Sequence, residues 1–217
     1  MSTKITKTIL WILIISMSAY FFITFIAPYF GLWNEQLDER RISEISWLIT
    51  HFSFGFFALF LAPFQFIPQI RNNYPRVHHT IGKIYIIGAV VSSLIVFYLL
   101  SNYELPGSIP SLAFLDIIWP FTTIAAYLLA RRNFFKVHKK FMIRSYVCAL
   151  AFVYLRLFDK IDHMTGAINF ITNDETQATV IEWMWIYPLV ITEFFLQWLQ
   201  PLKKMRLQKI KDKNSNE

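Results

Sequence analysis

Charge is what this chain has least of. Asp, Glu, Lys and Arg together make up 16% of its 217 residues, against about a quarter in an average globular domain. That polar remainder is too small to enclose a core made from the 55% of residues that are hydrophobic, so a soluble single-core domain is excluded. Cysteine is nearly absent too. Cys148 stands alone inside an apolar run, which excludes an intrachain disulfide, a cysteine-based zinc site and an iron–sulfur cluster built from this chain. Its expected role is packing. There is no low-complexity tract, no defensible internal repeat, and no room between the apolar runs for a large extramembrane domain.

What the chain does have is six apolar segments, at about 8–30, 44–67, 81–101, 112–130, 140–161 and 178–200. Each is near the roughly 20 residues a helix needs to cross hydrocarbon, where only helices and closed barrels satisfy their own backbone. The reading is an all-α, polytopic membrane helical bundle of six transmembrane helices, one bundle over 1–202 followed by a basic tail over 203–217. Lys4 and Lys7 before the first run imitate a signal peptide. The run continues past Phe25 without a small-residue cleavage site, so it is expected to stay as the first span.

The net charge of +7 would suit nucleic acid only if the bases gathered on one exposed face. They gather instead at the ends of the apolar segments: Lys4 and Lys7; Arg71, Arg76 and Lys83; Arg131, Arg132, Lys136, Lys139 and Lys140; then Lys203 to Lys213. All of these fall on one side of the bundle. Positive residues mark the cytoplasmic side, so both termini are expected in the cytoplasm of a bacterial inner membrane. The opposite loops carry Glu35, Asp38, Glu39, Glu104, Asp174 and Glu175, with Arg40, Arg41 and Lys160 as exceptions. The bilayer is the expected partner and nucleic acid is not. Pro63, Pro120 and Pro188 fall within spans, where a freed carbonyl needs a neighbour or water.

Ionisable side chains inside spans are expensive and are functional candidates. His51 lies well into the second span, and Gln65 shares its helical face near the cytoplasmic end. His78 and His79 open the third span and His138 opens the fifth, all at the cytoplasmic interface. Arg156, Asp159 and His163 continue one face of the fifth span, while Glu182 and Glu193 belong to the sixth. Two neutral imidazoles from different helices can hold a haem iron axially, and nearby bases can neutralise the propionates. On this reading His78 and His138 are axial ligands. His51 is an outer ligand or a polar partner of Arg156, and Arg71 or Arg144 faces propionates. The product is a haem b-binding electron-transfer module with a quinone or small redox partner, and a membrane oxidoreductase is one possible class. Interfacial histidines at His79 and His163, headgroup contacts at His78 and His138, and inner-leaflet anchors at Arg71 and Arg144 are the plain alternatives. Two rival readings stay open. One is a cofactor-free bundle whose His51, Gln65, Arg156, Asp159 and Glu182 line a polar path for protons, a solute or a headgroup; the other is a divalent metal held by His78, His79 and His138.

Three blocks carry a family resemblance. They are His51 through Pro63-Phe64-Gln65-Phe66 to Arg71; His78 with Gly82 and Tyr85; and His138 leading into Phe141-Met142-Ile143-Arg144-Ser145-Tyr146 and Arg156. Together they resemble the bacterial membrane family known as domain of unknown function 2306. Ala62, His79 and Phe141 stand where that family usually has Gly, Arg and Trp. A closing pattern from Trp185 to Glu193 is also similar, with Tyr187 and Pro188 in place of Pro and Asn. The segment from His78 to Gly82 further resembles the haem-ligand segment of cytochrome b561 and ferric-reductase-type bundles, which implies haem but rests on fold-level likeness.

Overall fold

The computed structural model describes residues 3–30, 45–102, 108–166, 168, 174–199 and 205. The expected acidic loop from Glu35 to Glu39, Arg40, Arg41, Glu104 and the tail over 203–217 lie outside them, apart from Met205.

Every described segment is helical or a connection between helices. Helix α1 (Thr3–Phe21) runs through a π turn (Phe22–Ile26) into a 3₁₀ turn (Ala27–Phe30). Then come α2 (Ile45–Gln65), α3 (Pro68–Asn73), α4 (Pro75–Asn102), α5 (Ser108–Arg131), α6 (Phe135–Ala149), α7 (Ala151–Thr165), α8 (Asp174–Trp183) and α9 (Ile186–Glu193), closed by a π turn (Phe194–Leu199). Five stretches are long and apolar enough to cross a membrane, and α6 with α7 makes a sixth if that bent pair is one span. Pro75 explains why α4 starts well before the apolar run that marks it in the sequence. Proline is pre-set for the first helical turn, so His78 and His79 lie inside α4 rather than ahead of it.

The bundle is apolar outside and partly polar within. Leu94 is 63% exposed, and Leu13, Phe121 and Val190 face outward with it, while Ser92, Ser93, Ser111, Thr123 and Ser145 are buried. A lipid solvent removes the hydrophobic drive to bury Leu and Phe, so small side chains that allow close backbones take the interior. The clearest case is the α2–α4 crossing. A Cβ added at Gly88 would lie 2.8 Å from the Phe54 carbonyl oxygen, and Ala58, Ala62 and Ala89 are fully buried around it. Gly88 lets two backbones touch where no other residue fits.

Two breaks shape the later helices. Between α6 and α7 the axis turns by 43° at Leu150, which has no proline or glycine beside it. Backbone bonds from Leu150 to Tyr146 and from Tyr154 to Leu150, both 3.1 Å, carry the helix pattern across the bend. What the sequence reads as one straight span over 140–161 is therefore a bent pair. Between α8 and α9 the fully buried Trp185 donates its indole N–H to Ser111 Oγ at 3.0 Å, and Ser111 donates to the Glu182 carbonyl at 2.6 Å. The carbonyl opened by the break is thus satisfied by a neighbouring helix.

Candidate functional site

At the Lys- and Arg-rich end of the bundle, α2, α4, α5 and α6 border a partly open cavity of about 810 Å³. It falls within the size range of sites for small molecules and cofactors. Gln65 comes from the end of α2, Arg71 from α3, and His78, His79, Gly82, Lys83 and Ile86 from the start of α4. Tyr127 and Arg131 come from the end of α5, and His138, Lys139 and Met142 from the start of α6. Four fixed cations line it, and none of its lining residues is acidic.

The two imidazoles are held differently. His138 Nδ1 lies 2.7 Å from the Ala126 carbonyl oxygen. A carbonyl has no proton to give, so Nδ1 carries one and donates it, and this bond leaves Nε2 uncommitted. On the facing helix, His78 Nδ1 is buried without a hydrogen-bond partner among the described residues, and so is Nε2 of the buried Gln65. Buried polar atoms are nearly always paired. Both residues line one cavity, so a polar ligand or water there would satisfy them.

Of the residues singled out from the sequence, His78, His79, His138, Gln65 and Arg71 come together here. His51, Arg144, Arg156, Asp159, Glu182 and Glu193 stand elsewhere. His51 Nδ1–H is donated to the Ser92 carbonyl at 3.1 Å and lies 2.9 Å from Ser92 Oγ, while that hydroxyl turns back to the His51 carbonyl at 3.4 Å. His51 therefore clamps α2 to α4 above the Gly88 crossing. Arg144, 9% exposed, grips Glu193 of α9 through two parallel bonds, Nε to Oε1 and Nη2 to Oε2, the latter 2.8 Å. Its guanidinium is committed to that pair and to the Phe141 ring at 4.9 Å. Arg156 is exposed, 5.7 Å from the Phe25 ring centroid, and it acts electrostatically on Glu182 together with Asp159. Of His51, Gln65, Arg156, Asp159 and Glu182, only Gln65 lines the cavity. Among the described residues no three His, Cys, Asp or Glu side chains stand close enough to hold a metal ion, so three imidazoles around a divalent cation have no geometric support.

Sequence reasoning passed over one group. Asp116, in the middle of α5, is 3% exposed, and its Oδ2 has no hydrogen-bond partner among the described residues. The signal was available, an acid inside the apolar run Phe114-Leu115-Asp116-Ile117-Ile118.

These features define a multi-pass membrane bundle with a basic, ligand-sized cavity at one end. The profile of the family described as Predicted membrane protein (DUF2306) matches residues 48–196. The chain belongs to that family. No curated protein and no solved structure gives a match.

Proposed function

We propose that the cavity holds haem b, with His78 and His138 as axial ligands, and that the protein passes electrons at the cytoplasmic face of a bacterial inner membrane. The observation that carries this reading is the convergence of two imidazoles from facing helices on one cavity. In one of them the non-ligating nitrogen is already tied to a backbone carbonyl. That is how proteins orient a metal-binding histidine and raise its basicity. The Ala126 carbonyl gives His138 such a partner; His78 would supply the second ligand, its buried Nδ1 having no partner among the described residues.

The rest of the wall suits the same molecule. Phe66, Ile86 and Met142 supply an apolar lining, and Gly82 leaves the α4 surface low beside Gln65, where a Cβ would come within 3.4 Å of Oε1. Arg71, Lys83, Arg131 and Lys139 complement the two propionate carboxylates through charge-assisted hydrogen bonds. When bound, haem supplies one-electron chemistry, its potential tuned by the axial ligands and surrounding polarity. The chain's own part is to fix the imidazoles, neutralise the carboxylates and exclude lipid. A quinone or a small redox protein is the partner such a site serves.

A second reading rests on charge alone. Four cations without an acid also suit an anionic solute or a lipid headgroup held without any cofactor. The absorption spectrum of the solubilised protein, expressed with ample haem, separates the two. A Soret band that shifts on dithionite reduction is expected. A colourless protein under both conditions leaves the anion-binding reading.

A further inference from the structure

Asp116 lies about 16 Å along α5 from Tyr127 in the cavity wall, at 1.5 Å per residue. The interior between them is not apolar. One turn beyond the cavity, each of three helices contributes a buried polar group: Tyr85 above Gly82 on α4, Thr123 above Tyr127 on α5, and Ser145 above Met142 on α6. The Tyr85 and Ser145 hydroxyls are 2.6 Å apart, and those of Ser145 and Thr123 are 2.5 Å apart. Trp119 Nε1–H points at the Tyr85 oxygen from 3.5 Å. Thr123 donates in turn to the Trp119 carbonyl at 2.7 Å, and one turn further along α6 lies the buried Cys148. Ser93 of α4 faces the Asp116 carboxyl, though its Oγ has no well-formed hydrogen bond.

No cation pairs with Asp116 among the described residues. An unpaired carboxylate inside a membrane bundle is costly, and such residues mark proton relays and ion paths. The buried titratable groups of the neighbouring α4 and α6 are Tyr85, Tyr146 and Cys148, and none of them can carry a positive charge.

We propose that Asp116 is a proton-holding site, loaded from the basic-end cavity through the Tyr85–Ser145–Thr123 hydroxyl cluster. In each transfer a hydroxyl accepts a proton on its lone pair and releases its own to the next group. The net change is one proton taken from hydronium in the cavity, which leaves water, one O–H bond formed at Asp116 and one carboxylate charge removed. No electron moves, so the site is independent of whether the cavity holds haem.

Infrared spectroscopy of the full chain in lipid nanodiscs at neutral pH tests this. The wild type is expected to show the carbonyl stretch of a neutral carboxylic acid. The band should shift with isotopically labelled aspartate and vanish in Asp116→Asn. The label separates aspartate from glutamate without a substitution, and Asp116 is the one buried aspartate among the described residues, so the assignment stands even if that variant folds poorly. A missing band, or one insensitive to the aspartate label, overturns the proton at Asp116. After transfer to heavy water, Tyr85→Phe and Ser145→Ala should slow the deuterium shift of this band by about a hundredfold, the low end of what a positioned proton-transfer group contributes. Wild-type rates in both variants overturn the relay.

Discussion

Helix α4 passes through two regions that treat polar groups in opposite ways. In its middle, Gly88 lets α2 come into backbone contact, and the polar atoms at that crossing are paired, as His51 with Ser92. At its start, beyond Gly82, the helices border a cavity, and His78 Nδ1 and Gln65 Nε2 are left without partners among the described residues. Histidine in a span does not by itself mark a site. His51 pairs with Ser92 away from the cavity wall, and its role is packing and register; His78 and His138 line the cavity, where His78 Nδ1 still lacks a partner among the described residues.

That contrast can be sharpened by substitutions that should cost stability and leave the cavity working. Glu193→Ala strands the buried Arg144 guanidinium and is expected to cost about 3 kcal/mol, the cost of removing one partner of a buried pair. Denaturant unfolding in detergent micelles reads it. Next comes Gly88→Ala, which forces α2 and α4 apart at the Phe54 carbonyl and should cost about 2 kcal/mol, as overpacking does. His51→Ala removes the clamp to Ser92 and should cost about 1 kcal/mol, the net worth of a buried hydrogen bond. The smallest effect belongs to the open region. Lys83→Gln should leave unfolding unchanged and weaken retention of an anionic ligand by about 0.5 kcal/mol, within the range of an exposed charge pair, with the difference fading at high salt. A large stability loss for Lys83→Gln would break the contrast.

How much of this was legible beforehand follows from the same physics. The helical bundle was plain from apolar run length, and the clustering of His78, His138, Gln65 and Arg71 followed from their common position at the basic ends of neighbouring spans. The partners of Arg144 and His51 were not legible. Glu193 meets Arg144, and Ser92 meets His51, only through the axial register of packed helices, which hydropathy does not encode. The bend at Leu150 was hidden because neither proline nor glycine marks it. Asp116 was visible in the sequence, but one acid barely alters the hydropathy of a long span. What makes it exceptional, burial without a partner, is a property of the packed bundle.

The central claim is that the cavity histidines, His78 and His138, form the site and that His51, tied to Ser92 away from it, does not. Haem content per protein, read from the Soret absorbance of purified His138→Ala and His51→Ala variants, tests it most directly. The account predicts that His138→Ala loses the band while His51→Ala keeps it at the wild-type level. Loss of the band in His51→Ala with retention in His138→Ala would contradict it.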